Sequence, residues 1–216
     1  MIDWADHHHV PSMLEAALEY ALGGIALLPC HHPIEPSPPA GQPQAPGCSC
    51  QRRDCPAPAA HPLGTLAAAD ATAELGAVGS WWLDTPDANI ATPAGLDVDV
   101  VEIGPPAAAD AVVAWLAASG IEPGPVLRAE DGRTRLLLPA GAGAADGDRV
   151  RVVADGELVL LPPSRLPDGR RVGWLVPPRY RLRLPDGAAV VRALAGLPAA
   201  GELAGAAARY VARGSR

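Results

Sequence analysis

The spacing of apolar and polar positions divides this chain into short helices and short strands around one acidic stretch near its middle. Ser12-Met13-Leu14-Glu15 has the form of a capping box, in which the Ser12 and Glu15 side chains satisfy each other's orphan amides. The helix it opens carries Leu14, Leu18, Ala21 and Leu22 on one face and stops at Gly23-Gly24. Residues 25–28 follow as a buried strand ended by Pro29, and a helix is predicted from Asp70 to Leu83, with Trp81 and Trp82 near its end. Over residues 96–103 acidic positions 97, 99 and 102 interleave with apolar ones, the period-2 signature of a strand. If Val98, Val100 and Ile103 face a core, Asp97 and Asp99 share the other face. Two readings then stand side by side: a solvated acidic edge strand, or a carboxylate pair gripping a hard divalent cation.

Beyond it, residues 107–119 read as a helix ending at Gly120, and 126–130 and 133–138 flank Asp131-Gly132, the strongest hairpin signal in the chain. Residues 149–153 and 157–161 repeat that pattern around Asp155-Gly156. A loop at Pro162-Pro163-Ser164, a turn at Pro167-Asp168-Gly169 and a strand at 172–176 come next. Arg179, Arg181 and Arg183 alternate with Tyr180, Leu182 and Leu184 as a basic strand face, and Ala-rich helices are predicted over 187–195 and 199–213. Helices interleaved with hairpins indicate an α+β domain rather than a regular parallel wind. Aromatic residues are scarce, so Trp81, Trp82, Trp115 and Trp174 are assigned to the core with Val100, Leu137 and Val159, and not to base-stacking platforms.

Composition narrows the chemistry. The 216 residues suffice for a real core, and every basic residue is an arginine. Without lysine, neither a Walker-type phosphate loop nor a Schiff-base enzyme is available. A formal charge of −7 argues against a strongly basic nucleic-acid coat protein, though not against a local arginine groove. The N-terminal residues MIDWADHHHVPS lack the order of a signal peptide, and the apolar run at 21–28 is too short to cross a bilayer. The reading is a soluble cytoplasmic protein. Its cysteines are then metal ligands or free thiols rather than disulfides.

Residues 33–62 are dense in proline, which excludes helix and central strand. Cys48, Cys50, Cys55 and His61 lie here in the spacing C-x-C-x4-C-x5-H, with Cys30, His31 and His32 just before. A tetrahedral Zn²⁺ on the first four, with Cys30 as substitute ligand, would cross-link a segment too polar to fold by burial. Free thiols are the alternative. The histidines at 7–9 read as a solvated run.

Taken in order, these pieces resemble the bifunctional DNA primase–polymerase (prim-pol) family, in the form found in actinobacterial proteins and mobile elements. The matching pieces are LEYALGGIALLPC, the block CSC…C…HP, WW…P-ANI with its Thr-led loop, the acidic strand, DGRTRLLLP, and VLLPPSRLPDGR…WL. The resemblance implies a primase-type α+β fold over residues 1–178, with the Cys/His loop at 30–62 and an Arg-bearing, Ala-rich extension at 179–216. It implies template-directed nucleotidyl transfer with Mg²⁺ or Mn²⁺ held by an Asp-x-Asp strand and a third acid. A hairpin His would contact the triphosphate, and a Cys/His segment would hold structural zinc. The partners it implies are nucleoside triphosphates and single-stranded or primer–template DNA.

The family's catalytic pattern is eroded. Counting from Thr92, its first Asp falls on Glu102 and its second on Gly104; a gapped match uses Asp97 and Asp99 instead. The hairpin His is matched by Arg135, which holds phosphate as a cation without acid–base chemistry. The third acidic position has only Arg151 or Asp155 near it, and the Lys before His61-Pro62 is Ala60. Asn89 and Pro162-Pro163-Ser164 are retained. The expected catalytic residues are therefore Asp97, Asp99 and Glu102, and the nucleotide contacts Asn89, Arg128, Arg135 and Ser164. Transfer itself is expected to be weakened or lost, the alternative being an inactive relative that binds nucleic acid or protein.

Overall fold

The computed structural model describes residues 10–34, 47–104, 106–128, 133–143, 149–178, 182–198 and 203. In chain order they form α1 (Met13–Leu22), β1 (Leu28–Cys30), β2 (Pro33–Ile34), β3 (Gly47–Cys48), α2 (Leu75–Asp84), β4 (Asn89–Pro93) and β5 (Val98–Ile103). Then follow α3 (Pro106–Ala118), β6 (Val126–Arg128), β7 (Thr134–Pro139), β8 (Val150–Val152), β9 (Leu158–Leu161), β10 (Gly173–Val176) and α4 (Gly187–Ala195). This is an α+β architecture of helices and antiparallel sheets. Two compact units divide it, one of residues 1–93 and 156–173, the other of 94–155 and 174–216.

In the first unit the α1 capping box forms as the sequence requires, with Glu15 N donating to Ser12 Oγ at 3.2 Å and Ser12 N donating to Glu15 at 2.9 Å. The buried face is Met13, Ala16, Ala17, Tyr20 and Ala21, while Leu22 is exposed. Small residues and one Tyr thus pack where the leucines were expected, and the Tyr20 hydroxyl donates to Pro162 O. The sheet runs β1-β4-β9, with β4 buried at every residue. Pro29 does not end β1 but lies within it, which an edge strand tolerates because one row of its amides needs no ladder partner. The helix expected from Asp70 begins at Leu75, because Glu74 accepts from the Gly76 and Ala77 amides as its cap. Asp70 instead closes a single 3-10 turn at Ala68–Asp70. Trp82 is buried with Nε1 donating to Ala88 O, and its neighbour Trp81 is half-buried.

In the second unit the sheet order is β10-β6-β7-β5-β8, so the acidic strand is interior rather than an edge. Val101 and Ile103 of β5, with Leu136 and Leu138 of β7, share a core with Val112 and Leu116 of α3 and Val190 and Leu194 of α4. β6 and β7 pair antiparallel as expected, although their Asp131-Gly132 turn lies outside the described residues. The second expected hairpin does not form. β8 pairs with β5 and β9 with β4, because the chain passes from one unit to the other at Asp155-Gly156. Nor are residues 182–184 a strand; Leu182 sits at φ 49°, in the left-handed region. Residues 7–9, 35–46, 179–181 and most of the second Ala-rich helix lie outside the described residues.

Candidate functional site

Two constellations carry chemistry, one in each unit. In the first, β2 and β3 pair Pro33 with Cys48, which fixes the start of the cysteine loop against the end of β1. The end of the loop is tied to the same place: His31 N donates to His61 O at 2.9 Å and Leu63 N to Pro29 O at 3.0 Å. Closing both ends on one strand end brings Cys48, Cys50, Cys55 and His61 together, with their ligand atoms all within 4.8 Å of one another. Cys48 Sγ lies 3.5 Å from His61 Nε2. The His31 ring lies against that of His61, tilted by 36° with centroids 4.4 Å apart, and its Nδ1 meets Ser49 Oγ at 2.7 Å, which limits how the His61 ring can turn.

This donor set fits a tetrahedral thiophilic cation. An ion about 2.3 Å from each sulfur draws them to about 3.8 Å apart, a small contraction from what is seen. Burial raises the Cys55 thiol to about 11, and nearby Cys50 and Cys48 add to that against the lowering influence of the Ala57 amide. Cys50 moves the other way: the Arg52 amide and its Cys48 and Cys55 neighbours hold its thiol below the ordinary value, so the cluster already favours one thiolate. Gln51 and Ala59, at φ 60° and 64°, hold left-handed backbone that non-glycine residues adopt only when their surroundings impose it. Cys30 stays inside β1, where burial pushes its thiol to about 12, and it does not join the cluster.

In the second unit, strand register sets a row across three strands: Arg135 on β7, Glu102 on β5 and Arg151 on β8. Arg135 Nε donates to Glu102 Oε2 at 3.2 Å, while Arg151 reaches both carboxylate oxygens, at 3.3 and 3.4 Å. Arg133, two residues before Arg135, donates to Glu102 Oε1 as well. Glu102 and Arg135 are 4% and 7% exposed, whereas Arg133 and Arg151 are about half exposed at 48% and 51%. The row therefore has a buried floor and an open rim. Burial alone would raise the Glu102 carboxyl, but hydrogen bonds from Arg133 and Arg151 and the charge of Arg135 outweigh it and hold the group below its ordinary value.

Asp97 and Asp99 do not join Glu102. Strand period puts Asp99 on the face of Val101 and Ile103, opposite to Glu102. Its Oδ2 accepts from Ala142 N at 2.9 Å, so it fastens the turn after β7. Asp97 lies in the turn before β5, where its carbonyl accepts from Ala140 N. That turn passes close under Asp155, and a Cβ on Gly95 (φ +81°) would stand 2.3 Å from its carboxylate. At Gly104, two residues beyond Glu102, an added Cβ would meet nothing within 4 Å. Three carboxylates converging on a pair of hard cations are not what this strand presents.

The remaining expected contacts are engaged within their own units. Asn89 Nδ2 donates to Ala59 O and Arg165 O, and its Oδ1 accepts from Arg165 N at 2.8 Å. Ser164 Oγ accepts from Ile90 N and donates to Ile90 O. Both side chains are fully buried and tie β4 to its neighbouring loops, Asn89 reaching the cysteine loop itself. Arg128 pairs with Asp110 at 3.1 Å, on the sheet face opposite Arg135. Arg133 and Arg151 were not singled out as site residues. Their signal was the alternation Arg133-Thr134-Arg135, which puts both arginines on one face, but their shared target needed the pairing of three strands.

Residues 17–200 match the family model described as bifunctional DNA primase/polymerase, N-terminal. The chain belongs to this family. The prim-pol match spans the cysteine loop, β5, the β6–β7 pair and α4, and so takes in both constellations. No curated protein and no solved structure matches the chain. Among the described residues no helix is long and apolar enough to cross a membrane.

Proposed function

We propose that this prim-pol chain is a relative in which metal-dependent nucleotidyl transfer is weakened or lost, and that it acts as a zinc-stabilised binding module for nucleic acid or nucleotide phosphates. The observation that carries the reading is the Glu102 carboxylate, which is taken up by Arg133, Arg135 and Arg151. Divalent cations need several carboxylates to offset their mutual repulsion, and three guanidiniums around the one available acid oppose their entry. In this reading Arg135 is a phosphate contact. Asn89 and Ser164 act by holding the loops beside β4, and Arg128 serves at the surface. Zn²⁺, when bound by Cys48, Cys50, Cys55 and His61, supplies a fold-stabilising cross-link and no catalytic step.

Primer extension with Mg²⁺ and with Mn²⁺ tests the reading, run on the wild type, on Asp97→Asn with Asp99→Asn, and on Glu102→Gln. The expected result is little or no synthesis by any of them. Robust synthesis abolished by either substitution set would refute it and identify the acids that hold the metals. Binding to single-stranded DNA is expected to weaken steeply between 50 and 200 mM salt, as phosphate contacts do. A protein that neither extends primers nor binds DNA or triphosphate is left with a structural role only.

A further inference from the structure

The Glu102 row has the features of an anion site whose resident anion is a side chain. Arg135 and Glu102 form a buried floor, and Arg133 and Arg151 stand half-exposed at the rim with guanidinium groups already turned towards one point. Arg135 and Arg151 are held opposite Glu102 by strand pairing, and Arg133 adjoins β7, one residue before its first paired position. A guanidinium binds carboxylate and phosphate through the same planar fork, and phosphate brings an additional oxygen and up to one more charge.

We propose that Arg133, Arg135 and Arg151 form a phosphate site that needs no divalent metal, and that Glu102 is its built-in competitor, an internal carboxylate that an incoming phosphate must partly displace. The inference rests on reading this row as a guanidinium site and not as a metal centre. It reverses the expected effect of changing Glu102. A metal ligand removed by Glu102→Gln would weaken phosphate binding, whereas a competing anion removed would strengthen it.

The test is a binding titration on the full zinc-loaded chain, after removal of excess metal, in buffer freed of divalent cations by chelating resin and without added chelator. Inorganic tripolyphosphate stands for a free triphosphate, and an oligothymidylate without terminal phosphates stands for a polynucleotide backbone. Whichever probe responds to the substitutions is the source the site serves. Expected are metal-free binding by the wild type, about tenfold weaker binding in Arg151→Gln and in Arg133→Gln, and about tenfold tighter binding in Glu102→Gln. Arg170→Gln, which removes the same charge from an exposed turn of the other unit, is expected to change nothing. Absence of binding to both probes in divalent-free buffer, with the zinc retained, would overturn the proposal. So would a loss equal to that of Arg170→Gln, or tightening that appears only with Mn²⁺. Should Glu102→Gln fail to fold, the two rim arginines decide alone, and unchanged affinity in both would end the idea. Primer extension measured in parallel separates the readings: synthesis without metal-free binding removes both, while neither synthesis nor metal-free binding removes only the phosphate site.

Discussion

The cysteine loop and the acidic strand were both candidate metal sites in the sequence, and the fold treats them in opposite ways. Cys48, Cys50, Cys55 and His61 belong to a loop closed at both ends on β1, and their donor atoms come within 4.8 Å of one another. Asp99 and Glu102 belong to a strand, and three residues apart on a strand means opposite faces. A loop with few core contacts is free to wrap its ligands around a point. A paired strand is bound by its period, and register with β7 and β8 hands Glu102 to arginines instead of to other acids. Closeness in sequence therefore predicts a shared site for loop ligands, and for strand ligands only when the spacing is even.

The largest effect expected from this contrast is loss of the loop's metal. Purified protein should carry about one zinc per chain, and stripping it should unfold the loop, since structural zinc contributes on the order of 10 kcal/mol of apparent binding energy to such segments. Metal analysis with thermal melts before and after chelation checks this, and Cys55→Ser should reproduce the loss. Zinc content near zero after zinc-replete expression, in a folded protein, would break the comparison on its stronger side.

On the other side, Glu102→Ala should destabilise the second unit by about 3–5 kcal/mol, because it leaves the buried Arg135 without its counter-charge. Denaturant melts measure it. The same pairing has a pH signature. The folded carboxyl is held below its ordinary value of 4.5, so its stabilisation is complete above that value and drains away as pH falls through the depressed folded value. Wild-type stability should drop over that acid range more steeply than that of Glu102→Gln; identical slopes would mean the carboxylate pairing contributes little.

The smallest effect sharpens the comparison most. Gly104 shares the Glu102 face by period, and a Cβ there meets no neighbour within 4 Å. Gly104→Asp should add a second carboxylate at even spacing and tighten Mn²⁺ binding by about tenfold, read by calorimetry. Unchanged Mn²⁺ affinity would show that the arginines, and not the missing acid, exclude the metal.

Several features were written locally and could be read without a fold. The capping box at Ser12 and Glu15, the helices near 107–119 and 187–195, the antiparallel pair of β6 and β7 and the four-ligand loop each depend on neighbours within a few residues or on loop closure. So did the family resemblance, which is a matter of order and spacing. Contacts between distant segments decided the rest. Asp155-Gly156 has the chemistry of a hairpin turn, yet its flanking strands join different sheets, β8 pairing with β5 and β9 with β4. Asn89 and Ser164 look like polar residues available to a ligand until burial beside β4 gives them backbone partners. Glu102 keeps its charge in both views. Whether that charge meets a metal or an arginine depends on which strands lie on either side, and that is a property of the sheet.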